Sequence, residues 1–285
     1  MDYGVIRQLV QEEYPPLLRE IPRPPKQISI RGTLPSYDMK FLTVVGSRAC
    51  TSYGEQVVKH LLSGLRGQPI VIVSGLAYGI DTVAHTTALE CGLITIGVPG
   101  SGLDWNVLYP RASVSLAQKI LESGGSLISE FKDDQKATDW TFPQRNRIMA
   151  GMSHATLMIE AREKSGSLIT AKLTTDFNRE LLVVPGSIFS LESAGTHQFL
   201  KLGATAVTES NDVVRALGLA EQSIDIPRAD VSEAELRVLN IVASPAHRDI
   251  VIQHLALPIT EANILLSMME IKELIIEELG VVRRC

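Results

Sequence analysis

FLTVVGSRACTSYG, residues 41–54, joins a short apolar run to a Gly-Ser-Arg turn and then to a helical segment. The same succession of apolar run, small residues and helical segment recurs along the chain. The further runs are IVIVSGL (70–76), LITIGVP (93–99), SLISEF (126–131), ATLMIEA (155–161), LLVVPG (181–186) and the weaker TAVTE (205–209). Continuous apolar strands that alternate with helices are typical of a mostly parallel sheet covered on both faces. The predicted fold class is therefore a doubly wound α/β domain over residues 41–217.

The segments on either side of this domain differ from it in pattern. Residues 1–40 are rich in proline around PRPPKQISIRGTLP and are predicted to be a lead-in segment outside the core. Residues 218–230 are polar and are predicted to be a linker. Residues 231–285 hold three amphipathic helical stretches, the first capped by Ser232, and then two short strands. This order predicts a small winged-helix-like domain, and a generic three-helix cap is the alternative.

Composition narrows the class of protein. The 285 residues carry a net charge of -5, and residues 218–285 account for it with 6 basic and 11 acidic side chains. The body of the chain is nearly neutral and can still present a basic patch. No signal peptide pattern opens the chain, and its apolar runs are too short and too interrupted to span a bilayer. Three scattered cysteines indicate a reducing compartment. We expect a cytoplasmic protein with no membrane partner.

Small residues and arginines gather where the predicted strands end. In a doubly wound sheet, ligands bind beyond the carboxyl ends of the strands, where the strand order reverses. The segments concerned are 46–54, 74–85, 99–112 and 160–171, with FPQRNR (142–147) between the fourth and fifth strands. Small residues ahead of a helix leave backbone N–H groups free to bind an anion, and arginines add donors. Together these segments predict a phosphate-binding face.

Common nucleotide and catalytic motifs are missing from the sequence. The first turn lacks the second glycine of GxGxxG, and the chain contains neither GxxxxGK[ST] nor GxSxG. Asp81 and His85 lie one helical turn apart and are interpreted as a helix cap and a helix-face hydrogen bond. Glu160 is either catalytic or an acceptor for the arginines of residues 142–147. No catalytic, cofactor or metal set is predicted.

An anion-binding face with aromatic residues and no catalytic set favours single-stranded nucleic acid. Phe142 and Trp140 are the rings available for stacking, and core packing is the alternative for each. Two other functions stay open. One is a nucleotide-processing enzyme, such as a nucleoside-monophosphate phosphoribohydrolase, although PGSGLDWNVL (99–108) lacks the PGGxGTxxE motif of those enzymes. The other is a nucleotide-sensing module.

Taken in order, the motifs resemble one known family. GSR…SYG, SGLAYGIDTVAH, GLDWNVLYPRA, FPQRNRIMAGMS, SGSLITA and VVPG…SAGTHQFLKLGA follow the order and approximate spacing of the DNA-processing protein A family, DprA or Smf, over about residues 41–217. The resemblance implies an extended Rossmann-type fold, binding of single-stranded DNA and a homodimer. It also implies protection of incoming DNA and its delivery to the RecA recombinase in natural transformation. Many members carry a winged-helix-like module, which residues 231–285 resemble.

The resemblance also implies which residues bind the DNA. Matched motif by motif, they are Gly46, Ser47, Arg48, Gly100, Ser101, Gly102, Arg111, Phe142, Arg145, Asn146, Arg147, Ser165, Gly166, Ser167 and Thr170. The family often has a basic residue at the position of Tyr78 and sometimes Lys at the position of Asp139. Both departures are expected to weaken phosphate attraction. We expect Arg145 to face the DNA, and Arg147 either to face it or to pair with Glu160.

Overall fold

The computed structural model describes residues 4–220, 232–242, 245–272, 274–278 and 280–284. The chain divides into two compact units, Met1–Glu221 and Gln222–Cys285. Most of the linker predicted at residues 218–230 lies outside the described residues.

Nine strands of the first unit form one sheet. They are β1 (Arg7–Gln8), β2 (Ser29–Gly32), β3 (Lys40–Val45), β4 (Ile70–Ser74), β5 (Ile94–Gly97), β6 (Ser126–Ser129), β7 (Ala155–Met158), β8 (Glu180–Val183) and β9 (Thr205–Ala206). Their order across the sheet is β1-β2-β6-β5-β4-β3-β7-β8-β9. From β6 to β9 all neighbours are parallel, whereas β1 and β2 join antiparallel at one edge. The strand order therefore reverses between β3 and β7.

Helices cover both faces of this sheet. They are α1 (Pro16–Arg19), α2 (Ser52–Ser63), α3 (Ile80–Glu90), α4 (Val114–Glu122), α5 (Thr141–Met152), α6 (Ser167–Asp176), α7 (Ala194–Lys201) and α8 (Ser210–Ala216), with 3-10 turns at Gln11–Glu13, Arg111–Ser113 and Leu191–Ser193. Along β3, Leu42 and Val44 face one apolar cluster while Phe41 and Val45 face the other. Both faces are buried, so the strand is mostly apolar, and its buried Thr43 hydroxyl is satisfied by the carbonyl of Met149 at 3.0 Å. The predicted mostly parallel, doubly wound fold is confirmed, and each predicted strand run overlaps one of β3–β9.

The N-terminal segment is part of the core, contrary to its prediction as a lead-in. β2 pairs antiparallel with β6, and β1 pairs with β2. Leu18, Ile28 and Ile30 are buried in the same cluster as α5 and α6. The strand signal in this segment is short and lies close to several prolines, which are unfavourable inside strands. That proximity hides β2 from a pattern-based prediction.

A glycine sets the turn that leads into α3. Gly79 has a φ of 72°, a backbone conformation that other residues rarely adopt. A Cβ at this position would collide with the carbonyl oxygen of Ser47. Ile80 N donates to that same oxygen at 3.1 Å. The start of α3 is thereby held against the loop that follows β3.

The second unit contains three helices and a three-stranded antiparallel sheet. They are α9 (Glu233–Ile241), β10 (Ala246–His247), α10 (Arg248–Leu255), α11 (Ile259–Ile271), β11 (Ile275–Glu278) and β12 (Val281–Arg284). β12 lies between β10 and β11. This is the element order of a winged-helix domain. Ser232 caps α9 as predicted, because Glu235 N donates to its Oγ at 3.3 Å and Ser232 N donates to Glu235 Oε2 at 2.6 Å.

In the described ranges no single helix has the length and apolarity to cross a membrane. α10 and α11 meet those criteria only when taken together, and they are bent by 118°.

Candidate nucleic-acid interface

A pocket of ≈ 590 Å³ opens at the carboxyl end of the sheet, where the strand order reverses. Its walls are the loop after β3, the first turns of α5, the loop after β7 and the start of α6. Ten of the residues predicted to bind DNA line it: Gly46, Ser47, Arg48, Phe142, Arg145, Asn146, Ser165, Gly166, Ser167 and Thr170. This is the position at which doubly wound sheets bind ligands.

Positive charge exceeds negative charge in the pocket lining. Four cations line it, Arg48, Arg145, Arg162 and Lys164, against two carboxylates, Asp81 and Asp139, which leaves a net +2. The chain as a whole has a net charge of -5. Cations concentrated in one concave site of an acidic chain attract an anionic ligand.

Arg48 is exposed and is held by a ring instead of a carboxylate. Its guanidinium lies over Phe142, 4.8 Å from the ring centroid. In the part of the chain that the structure describes, no acidic side chain forms an ion pair with Arg48. An arginine in a cation–π contact keeps its N–H donors available for a phosphate.

Phe142 is half-buried and is fixed from two sides. Its ring centroid lies 5.9 Å from that of Tyr109, with the rings tilted by 54°. A Cβ on Gly100 would lie 2.6 Å from Cδ1 of Phe142. Gly100 thus lets the ring pack closely, and the packed ring in turn positions Arg48.

Arg145 forms the floor of the pocket and is largely engaged by the protein itself. It is only 4% exposed. Its Nη1 donates to the carbonyls of Gly75, at 2.6 Å, and Val98, and its Nε donates to Asn146 Oδ1 at 3.1 Å. Burial lowers the pKa of Arg145 to about 10, and Asp81 partly opposes that shift. These contacts tie α5 to the ends of β4 and β5, a structural role that the sequence did not indicate.

Arg147 pairs with Glu130 and lies outside the pocket lining. Its Nη2 forms the ion pair with Glu130, and its Nη1 donates to the carbonyl of Arg23 at 2.7 Å. Glu160 is 3% exposed and accepts from Thr51 N at 3.0 Å and from Thr51 Oγ1. The alternative of an Arg147–Glu160 pair is therefore wrong. The carboxylate of Glu160 instead holds the start of α2.

The start of α6 forms the opposite wall. The hydroxyls of Ser165 and Ser167 are 2.7 Å apart, and Ser167 N donates to Ser165 Oγ at 3.3 Å. Asn146 Nδ2 donates to the carbonyl of Gly166 at 3.4 Å and so joins α5 to α6. Thr170 follows in the first turn of the helix. A helix N-terminus carries partial positive charge, which favours a bound anion.

Four further residues predicted to bind DNA lie outside the pocket lining: Gly100, Ser101, Gly102 and Arg111. Ser101 is fully buried, and Gly102 N donates to the carbonyl of Gln135 at 2.8 Å. The amide of Gly102 is thus engaged by the protein itself. Arg111 is exposed and donates to the carbonyl of Trp105.

Asp81 is structural, but not as a helix cap. Gly79 occupies the N-cap of α3. Asp81 Oδ2 accepts from Gly75 N at 3.1 Å and from Ala77 N at 3.3 Å. Burial raises the pKa of Asp81, and Arg145 opposes the shift. Asp81 therefore shapes the turn after β4 and supplies the buried counter-charge of Arg145.

His85 is also structural. It is fully buried, and its Nδ1 lies 2.7 Å from Thr95 Oγ1. Thr95 Oγ1 donates its own proton to the carbonyl of Ile72 at 3.0 Å. Nδ1 must therefore carry the hydrogen in the His85–Thr95 bond. Burial lowers the pKa of His85 to about 3, so the imidazole is neutral near pH 7.

Two cations that line the pocket were not singled out from the sequence, Arg162 and Lys164. Arg162 pairs with Glu192, yet its side chain stays 65% exposed. Lys164 is exposed. Both lie between the end of β7 and the start of α6, and this position at a strand end was the signal available for finding them.

The two departures from the family pattern fall in different places. Asp139 lines the pocket, whereas Tyr78, 49% exposed, lies outside the lining. Trp140 is 58% exposed and also lies outside it, with its ring edge-on to Phe131. Asp139 is thus the departure placed to oppose an anion in the pocket.

Metal and disulfide chemistry is not indicated where the chain is described. Within those residues no three His, Cys, Asp or Glu side chains are grouped as a metal site. Cys50 and Cys91 are free thiols.

A mostly parallel doubly wound sheet with a net-positive pocket at its switch point defines a Rossmann-like protein. The chain belongs to the DNA recombination-mediator protein A family, whose pattern matches residues 6–218. Protein Smf of Escherichia coli (strain K12) is 40% identical over 206 residues, which are 72% of this chain and 54% of that protein. DNA processing protein DprA of Streptococcus pneumoniae is 39% identical over 206 residues, which are 72% of each chain. The chain thus spans about half of the first relative and more of the second, and the resemblance stated from the motifs is confirmed.

Solved structures agree with this assignment. DNA processing protein A from Streptococcus pneumoniae matches with a TM-score of 0.68 at 36% identity over 75% of each chain. DNA processing protein A from Helicobacter pylori matches with a TM-score of 0.67 at 28% identity, over 75% of this chain and 96% of that one. The Helicobacter pylori protein is described with a single-stranded DNA binding mode.

Proposed function

We propose that this protein binds single-stranded DNA in the switch-point pocket and processes incoming DNA for recombination in natural transformation. The net-positive pocket, with Arg48 held over Phe142, is the observation that carries the proposal. Family membership and the single-stranded DNA binding mode of the Helicobacter pylori relative support it.

The charges of the pocket divide into a floor and a rim. At the floor, Arg145 and Asp81 are both buried, and their opposite charges offset each other. At the rim, Arg48 and Lys164 are exposed and line the pocket, with Asp139 as the opposing charge. A sugar-phosphate backbone is held by such exposed cations and helix N-termini. The rim is thus the part that grips phosphates.

Arg48→Ala tests the proposal. One charge-assisted hydrogen bond to a phosphate is worth about 1.5–3 kcal/mol, so affinity for oligo-dT should fall roughly 10- to 100-fold. The slope of log K against log salt should become shallower by about 0.7, as expected for one phosphate contact on a single strand. Fluorescence anisotropy at several salt concentrations measures both.

Arg66→Ala is the matched control, because Arg66 is exposed and follows α2 at the opposite end of the sheet. It should change neither the affinity nor the slope. Unchanged affinity and slope in Arg48→Ala would remove the pocket from the DNA-binding surface.

We further propose that the protein is a homodimer that delivers DNA to RecA, a proposal that rests on family membership. Light scattering after size exclusion should give twice the 31.1 kDa chain mass. Addition of the protein should accelerate RecA filament formation on single-stranded DNA coated with single-strand-binding protein. A monomer at all concentrations contradicts the dimer, and an unchanged rate of filament formation contradicts delivery to RecA.

We propose that the pocket binds without catalysing a reaction. Of its two carboxylates, Asp81 accepts from two loop amides and Asp139 lies on the exposed rim. The hydroxyl that Asp81 contacts, that of Ser74, is fully buried and donates to the carbonyl of Val44 at 2.7 Å, so it is not placed to attack a ligand. Incubation with nucleoside monophosphates should release no free base, and detection of base by chromatography would restore the enzyme alternative.

We propose a protein-contact role for the second unit. The exposed side of α11 presents Ile264, Met268 and Ile271 with Glu261, and no basic side chain lies between Ile259 and Ile271. A helix that reads duplex DNA needs polar and basic side chains at the bases and phosphates. Removal of residues 222–285 should leave duplex affinity unchanged in a mobility-shift assay. A large, salt-sensitive loss of duplex affinity would contradict this role.

A further inference from the structure

The loop after β8 exposes three large apolar side chains that neither the pocket nor the core uses. Ile188, Phe189 and Leu191 are 80%, 91% and 74% exposed. We call residues 187–191 the apolar loop. Contiguous exposed apolar surface on a folded protein marks an interaction site, so this loop is a candidate for contact with a ligand.

Both ends of the apolar loop are tied to segments that line the pocket. On one side, Tyr53 Oη donates to the carbonyl of Pro185 at 2.7 Å, and Tyr53 lies just beyond the loop that follows β3. On the other side, the pocket residue Arg162 pairs with Glu192, and Ala161 N donates to the Glu192 carbonyl at 2.7 Å. The apolar loop is therefore anchored beside the pocket.

The sheet topology sets the direction in which a bound strand can continue. β3, β7 and β8 are parallel neighbours, so all three end at the same edge of the sheet. The pocket lies over β3 and β7, and the apolar loop leaves β8, one strand spacing of about 4.8 Å further along. Single-stranded sites in other folds span about 4–16 nucleotides, so a bound strand extends past one pocket.

We propose that the apolar loop extends the single-stranded DNA path beyond the pocket and that Phe189 stacks on a base there. This inference rests on the proposed function of the pocket. A nucleobase is the occupant because the exposed ring belongs to a loop anchored beside the net-positive pocket, and cations combined with exposed aromatic rings bind single strands. The exposed guanidinium of Arg162 lies between the two surfaces and can hold the intervening phosphate.

The test compares Phe189→Ala, Phe189→Trp and the control Leu202→Ala in full-length protein. Leu202 is 79% exposed and follows α7, at the opposite end of the sheet from the apolar loop. Anisotropy titrations with oligo-dT of increasing length locate the contact. Phe189→Ala should weaken binding of long oligonucleotides roughly tenfold, the loss of about one base stack, and should leave the shortest bound lengths and the salt slope unchanged. Phe189→Trp should retain affinity, and bound DNA should quench its fluorescence.

The outcomes separate this inference from the proposed function. If wild-type protein binds no oligo-dT, both fail. If wild-type protein binds but Phe189→Ala matches it at every length, only the extended path is overturned. If Phe189→Ala changes the mass in solution, the apolar loop is a self-association surface and the inference is overturned.

Discussion

Arg145→Met should lower the free energy of unfolding of the first unit and leave the salt dependence of DNA binding nearly unchanged. Methionine occupies much of the space of the arginine but removes its charge and its donors. Asp81 would then be a buried carboxylate without its counter-charge, and the carbonyls of Gly75 and Val98 would lose their donor. An unsatisfied buried carbonyl costs about 1–3 kcal/mol, so loss of the donor to two of them costs about 2–6 kcal/mol. For a unit of this size that predicts a Tm lower by about 4–24 °C.

A double-mutant cycle with Asp81→Asn isolates the charge pair. Asparagine can still accept from the loop amides of Gly75 and Ala77 through its side-chain oxygen. Arg145→Met with Asp81→Asn should therefore be more stable than the sum of the single losses predicts, by about 1–3 kcal/mol. Urea unfolding followed by circular dichroism gives all four free energies of unfolding.

An Arg145→Met variant that unfolds like wild type would contradict a structural role for Arg145. If Arg145→Met keeps the wild-type Tm while its oligo-dT affinity falls and its salt slope flattens, Arg145 is a phosphate ligand and not a structural residue. Additivity within the cycle would also contradict a charge interaction between Arg145 and Asp81. Arg66→Met, at an exposed site, controls for loss of an arginine as such.

Three other predictions follow from the described contacts. Burial lowers the pKa of His85 to about 3 from an ordinary 6.5, so between these pH values the unfolded chain binds a proton that the folded chain does not. The free energy of unfolding should therefore fall as pH drops below 6.5, by about 3 kcal/mol at pH 4.5. His85→Gln should abolish this part of the pH dependence. Asp81, whose pKa is raised, acts in the opposite direction, so the wild-type and variant pH profiles must be compared, and identical profiles would contradict the assignment. Ser232→Ala should cost α9 about 1 kcal/mol, measured as faster amide exchange, and unchanged exchange would show that the cap is dispensable. Gly79→Ala should cost at least about 2 kcal/mol because of its positive φ and the clash at Ser47, and wild-type denaturant stability would contradict this.

Much of the fold could be predicted without coordinates because the signal is repeated and local. A parallel strand with both faces buried is mostly apolar, and six such runs, with a weaker seventh, alternate with helical segments. Since such strands all end at one edge, their loops were expected to meet, and the pocket does combine segments 46–48, 142–146 and 165–170. β2 was not predicted, because a four-residue strand close to several prolines carries little local signal.

The role of each arginine could not be read from its neighbours in the chain. Arg145 and Arg147 lie two positions apart in one hexapeptide, and both are engaged by groups distant in sequence: Arg145 by the carbonyls of Gly75 and Val98, and Arg147 by Glu130. Arg48, with no stronger sequence signal, is left exposed over a ring. Local pattern places a cation in a loop or on a helix. Whether that cation is free for a ligand depends on which acceptors the packed chain brings within hydrogen-bonding distance, and those acceptors come from other strands.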